Sequence, residues 1–214
     1  MLKFPLEGYN TRMDTYTTTL WRLAAELLNA QQQAQLRGLT TPQPPNLEAV
    51  TAYDHSLGGP SISRLTCNHT ERYALEDRAI FRSLHYCAMD MTRVNGTDWQ
   101  NDAKSFSRDL MENSSKHIDA LLDNIGGTYY LPFGKVIRNA TVKSKVGSNT
   151  WAQVNALLDV CNDAKRQFRR NKVTAPFTVE DALLVYFICR KLGMCLYPLA
   201  KLSTDMRVFE TDCK

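Results

Sequence analysis

The chain has 214 residues, 43% of them hydrophobic and 22% charged, with a net charge of +4. That length and balance suit a folded domain with a sizeable core, and they exclude a chain disordered throughout. No uninterrupted apolar run approaches the ~18 residues needed to span a bilayer, and the N-terminal stretch lacks a signal-peptide core, so a cytoplasmic, nuclear or virion protein is expected, neither secreted nor membrane-bound.

The charge is unevenly placed. Residues 1–127 carry 12 basic and 15 acidic side chains, a net −3, whereas residues 128–214 carry 14 basic and 7 acidic, a net +7. One domain, 1–214, is expected; the alternative is an acidic lobe 1–127 and a basic lobe 128–214, divided near Gly126-Gly127.

Helical periodicity dominates in chain order. Over residues 14–37, Tyr16, Leu20, Leu23, Ala24, Leu27 and Ala34 recur at spacings of three and four, which predicts one helix between an Asp14 N-cap and a Gly38 C-cap. Residues 39–66 hold four prolines and the Gly58-Gly59 pair, which predicts a long loop with a short helix over 46–55. Asn68 and Glu71 have capping-box spacing, and Ile80, Leu84, Cys87, Met91 and Val94 continue that helix to Asn95-Gly96. The next helix is capped by Thr97, striped by Trp99, Ala103, Phe106, Leu110, Ile118, Leu121, Leu122 and Ile125, and stopped at Gly126-Gly127.

Residues 128–148 mix β-branched, aromatic and small polar side chains around Pro132. They read as either a short β-hairpin turning near Arg138-Asn139 or an extended basic arm. A helix over 150–171 follows, with Trp151, Val154, Leu157, Leu158, Cys161, Ala164 and Phe168 on one stripe. Thr178 then caps a helix to Leu192 that is apolar nearly all round, which marks it as the central core helix. The expected class is mainly α: a bundle of about five principal helices, a Pro-rich loop and the basic arm or hairpin.

Chemistry-bearing motifs are few. Six cysteines, at 67, 87, 161, 189, 195 and 213, fall mostly on apolar stripes and read as reduced core thiols. Cys67-x-His69 and His85-x-Cys87 could suit zinc by residue type, but helical positions two apart point about 200° from each other. His117 reads as a surface or helix-packing residue. No phosphate-binding loop and no local nucleophile signature is present, so neither catalysis, a metal nor a cofactor is expected.

The basic residues are the remaining signal. Lys135, Arg138, Lys143, Lys145, Lys165, Arg166, Arg169, Arg170 and Lys172 make nine cations in residues 135–172, against only Asp159 and Asp163. Cations at a helix C-terminus complement its dipole, but like charges at i,i+4, such as Arg166 and Arg170, repel. Asp163 is placed to pair with Arg166, Lys165 and Lys172 flank the apolar side with ammonium groups reaching outward, and Phe168 belongs to the core. Such a cluster expects a polyanion, and the guanidinium fork suits phosphate. The expected function is therefore non-enzymatic nucleic-acid binding through the phosphate backbone, RNA ahead of DNA, without strong sequence specificity. Oppositely charged halves suggest a homo-oligomer, as in a coat-type or nucleoprotein packaging role. The alternative is an adaptor or scaffold whose basic segment meets an acidic protein partner.

Overall fold

A computed structural model describes residues 16–61, 74–93, 99–127, 134–170 and 176–209. The chain is mainly α-helical, and among the described residues there is no strand. Among the described residues eight α-helices run in order: α1 (Tyr16–Leu27), α2 (Ala30–Thr40), α3 (Leu47–Ser56), α4 (Arg78–Arg93), α5 (Trp99–Gly126), α6 (Gly134–Val146), α7 (Ser148–Arg170) and α8 (Val179–Leu196). Short 3-10 turns occupy Leu75–Asp77, Tyr197–Leu199 and Met206–Phe209.

Helix α8 is the centre. Every residue from Asp181 to Arg190 is buried, and α5, α1, α2 and α7 pack around it. Its start is set locally. The Thr178 side chain accepts from the Asp181 N–H at 3.1 Å, and Asp181 accepts from the Thr178 N–H at 2.7 Å, satisfying two end donors at once. Helix α8 continues through Gly193 to Leu196, beyond the expected stop. A Cβ at Gly193 would lie 3.1 Å from the Tyr197 hydroxyl, so this glycine serves ring packing rather than termination. Together with the turn after it, Val179–Leu199 is long and apolar enough to cross a membrane by length and composition, but 72% of its most apolar window is buried inside the molecule.

The expected single helix at 14–37 is two. The break falls at Leu28-Asn29, where Asn29 takes φ −72° and ψ 168° and caps α2. Its side chain accepts from the Gln32 N–H at 2.9 Å, while Gln32 Oε1 accepts from the Asn29 N–H at 3.2 Å. Local capping thus competes successfully with continued helix. Helix α2 then runs past Gly38 to Thr40. Asn29→Ala should lower stability by about 1 kcal/mol in urea unfolding, the usual cost of a lost N-cap. A change under a few tenths would mean that α2 does not depend on this cap.

The short helix in the Pro-rich segment is α3, capped by Asn46, which accepts from the Ala49 N–H at 3.0 Å. Helix α4 starts at Arg78, after the Leu75–Asp77 turn; the expected cap pair Asn68 and Glu71 lies outside the described residues, as does Thr97. Asp77 is buried and accepts from the Thr204 N–H at 2.5 Å, which ties the C-terminal segment to the start of α4. Gly127, at φ +66°, ends α5 as expected.

Over residues 134–146 the expected hairpin or arm is corrected by α6, while 128–133 lie outside the described residues. Val142 is fully buried and Val146, four residues on, is half-buried against the core. Helix α6 packs against α5, and that burial outweighs the weak helix propensity of its β-branched residues. Among the described residues the helices outnumber the five principal ones expected, because the Asn29 cap divides one of them and residues 134–146 add another.

Candidate polyanion-binding surface

The basic residues are mounted on α6 and α7, which are joined at Gly147, whose φ of +80° makes the corner. Helix α7 buries Val154, Leu157, Cys161 and Ala164, with Trp151, Leu158 and Phe168 half-buried beside them, as its stripe predicts. Its opposite face exposes Ala152, Asp159, Asn162, Arg166 and Arg169.

The nine cations do not share one environment. Arg166 and Arg169 are exposed at the C-terminal end of α7, and no described residue forms an ion pair or hydrogen bond with either. Three residues apart, they share a face and are separated by about 4.5 Å along the axis. Lys165 departs from its expected outward path. Its Nζ donates to Ser115 Oγ on α5 at 2.7 Å. Lys145 Nζ donates to the Ile125 carbonyl at 2.8 Å, satisfying a carbonyl in the last turn of α5. Lys143 is exposed. The side chains of Lys135, Arg138 and Arg170, and all of Lys172, lie outside the described residues.

Geometry separates the exposed cations into two places. Lys143 and Lys145 are near the Gly147 corner, while Arg166 and Arg169 stand roughly 27 Å further on, at 1.5 Å of rise per residue from Ser148. A duplex of that length would hold about eight base pairs at 3.4 Å per step.

The Asp163–Arg166 pair expected from i,i+3 spacing is absent. Asp163 Oδ2 instead accepts from the Tyr16 hydroxyl at 2.6 Å. Tyr16 is buried and meets Phe177 edge-to-face at 5.5 Å, and Phe177 meets Phe168 at 6.1 Å. Three rings thus anchor α1 and the end of α7 together beneath the arginines, and Phe168 is a packing residue, as its place on the stripe indicates.

A second polar constellation, not expected from the sequence, lies inside. Arg190 Nε donates to Asp54 Oδ1 at 2.8 Å, with side-chain exposures of 1% and 0%. Arg190 Nη2 donates to the Gly58 carbonyl at 2.6 Å, while Nη1 has no partner. His117 is fully buried rather than at the surface, and Nδ1 meets the Ile80 carbonyl and Nε2 the Tyr197 hydroxyl, both at 2.8 Å. Those partners select the Nδ1–H tautomer, with Tyr197 donating to Nε2. The one available signal was Arg190 itself, a charge continuing the apolar run Ala182–Cys189.

Cys87, Cys161 and Cys189 are free and buried, and burial pushes their thiols up, that of Cys161 to about 12, so they stay protonated. Among the described residues no three metal-capable side chains converge. No protein-family model matches the chain, and no curated protein or solved structure matches it.

Proposed function

We propose that this chain is a non-enzymatic nucleic-acid-binding protein that grips the phosphate backbone, RNA ahead of DNA, through Arg166 and Arg169. Arg170 and Lys172 beyond them, and Lys135, Arg138 and Lys143 of α6, extend the grip. One observation carries this reading: two exposed guanidinium groups on one helix face have no carboxylate partner among the described residues, although an acid sits within reach in the sequence. Unpaired arginines of this kind suit bidentate phosphate contact. Lys145 and Lys165 each spend one ammonium hydrogen on a contact within the chain, which makes them secondary to the arginines in this grip.

The acidic N-terminal half of one copy would meet the basic half of the next, as a coat or nucleoprotein assembly requires, in a cytoplasmic, nuclear or virion setting. Cooperative binding along a strand is the corresponding outcome.

The test is titration of fluorescein-labelled single-stranded RNA at about 50 and about 200 mM salt. Arg166→Ala/Arg169→Ala should make the log–log salt slope shallower by about 1.4, at about 0.7 per single-strand phosphate. Absence of binding by the wild type at the lower salt, or an unchanged slope in the variant, overturns the reading. A clean protein spectrum with an acidic protein partner co-purifying would favour the adaptor instead.

A further inference from the structure

We propose that Tyr16 is a positioning residue for this surface: by holding the Asp163 carboxylate toward α1, it keeps Arg166 free for phosphate. The inference rests on the polyanion reading above and adds the part of the molecule that controls it.

On an isolated helix, Asp163 and Arg166 would be neighbours, and an opposite-charge pair at i,i+3 is favourable. Here that pairing is overridden from outside the helix. The Tyr16 hydroxyl reaches Asp163 at 2.6 Å across 147 residues of chain. Burial, and then this bond, raise the Tyr16 pKa, so its proton stays in place. Helix α1 repeats the device. The Thr17 hydroxyl donates to Asp181 Oδ1 at 2.6 Å, and the Trp21 indole N–H donates to Glu180 Oε1 at 2.8 Å. Three neutral donors within two turns of α1 thus engage three carboxylates of the basic half: one in the last two turns of α7, two at the start of α8.

Asp163 is the one of these that could otherwise face the cationic end of α7, since Asp181 also caps α8. A neutral donor satisfies a carboxylate without adding a charge, and it fixes where the negative charge points. The Tyr16 ring is locked by Phe177, which in turn contacts Phe168 two residues after Arg166. Docking of α1 and electrostatic exposure of the α7 end are therefore one structural event.

Tyr16→Phe keeps the ring and removes the donor, which releases Asp163 to pair with Arg166. Affinity for a fluorescein-labelled oligouridine should then fall severalfold at about 50 mM salt, with the salt slope shallower by about 0.7, the weight of one single-strand phosphate. Adding Asp163→Asn should restore wild-type affinity, a rescue that simple damage to packing would not show. An independent arm follows the Arg166 side-chain Nε–H resonance by NMR. Asp163→Asn should leave it unmoved in the wild-type background and shift it in the Tyr16→Phe background. A shift on Asp163→Asn in the wild-type background overturns the inference, and this measurement stands even if Tyr16→Phe misfolds. Unchanged affinity of a folded Tyr16→Phe also overturns it. If the wild type binds no RNA, the proposed function falls, and the resonance arm still decides whether Tyr16 directs Asp163.

Discussion

Replacing Asp54 by alanine should destabilise the protein by about 3–5 kcal/mol, the cost of leaving one member of a buried ion pair alone. The Arg190 guanidinium is 1% exposed and lies on the central helix. Burial by itself would lower its pKa; Asp54 foremost, with Tyr186 and Tyr197, offsets that and holds the group above its ordinary value, so it stays charged. Without Asp54, that charge keeps only the carbonyl contacts at Gly58 and, at a long 3.5 Å, at residue 54 itself. The pair also ties α3 and the Gly58-Gly59 turn to α8, across 136 residues of chain. Urea unfolding midpoints measure the cost. Asp54→Ala/Arg190→Met should recover much of it, since removing both charges of a buried pair is close to neutral. A cost below about 1 kcal/mol for Asp54→Ala would show that water reaches Arg190 and that the pair does not hold the core together.

Acid should weaken the fold by about 3 kcal/mol through His117 alone. Burial first, and the positive charge of Arg190 with it, lower the His117 pKa to about 4 from the ordinary 6.5, despite an opposing contribution from the Ile80 carbonyl. The unfolded chain therefore takes up the proton more readily than the folded one. Stability is full above about pH 6.5, declines as pH falls toward 4, and levels off below it. The groups facing the ring are the Phe81 and Tyr197 rings, the Ile80 carbonyl and the Arg190 charge, so no carboxylate on these partners offsets the imidazolium. Asp181 acts in the opposite sense. Burial raises its pKa, so lowering the pH relieves rather than adds to its cost. The comparison is therefore made between proteins: urea midpoints at about pH 7.5 and about pH 4 for wild type and His117→Gln. The wild type should lose about 3 kcal/mol more than the variant over that interval. Equal losses would mean that His117 is already solvated in the native state.

Much of the helical order was legible before any tertiary contact was known. The Thr178 cap, the glycine stop after α5, the stripe of α7 and the all-round apolar character of α8 are set by residues within four or five positions of one another. Such signals survive in the sequence because the interactions behind them are local. The Asn29 break was equally local, but its Asn–Gln box sits inside an unbroken apolar period, and periodicity alone reads across it.

What the sequence by itself determined is a mainly helical chain whose C-terminal half is basic and whose most apolar helix is its core. Only the tertiary structure decided that residues 134–146 are helical, that His117 is enclosed, that Arg190 takes Asp54, and that Lys165 and Lys145 bond to Ser115 and to the Ile125 carbonyl. It also decided the point on which the proposed function depends, that Asp163 serves Tyr16 and not Arg166. The reason is physical. Several partners compete for every carboxylate and ammonium, their energies differ by about 1 kcal/mol or less, and the winner is whichever group the packing of distant helices brings within 3 Å.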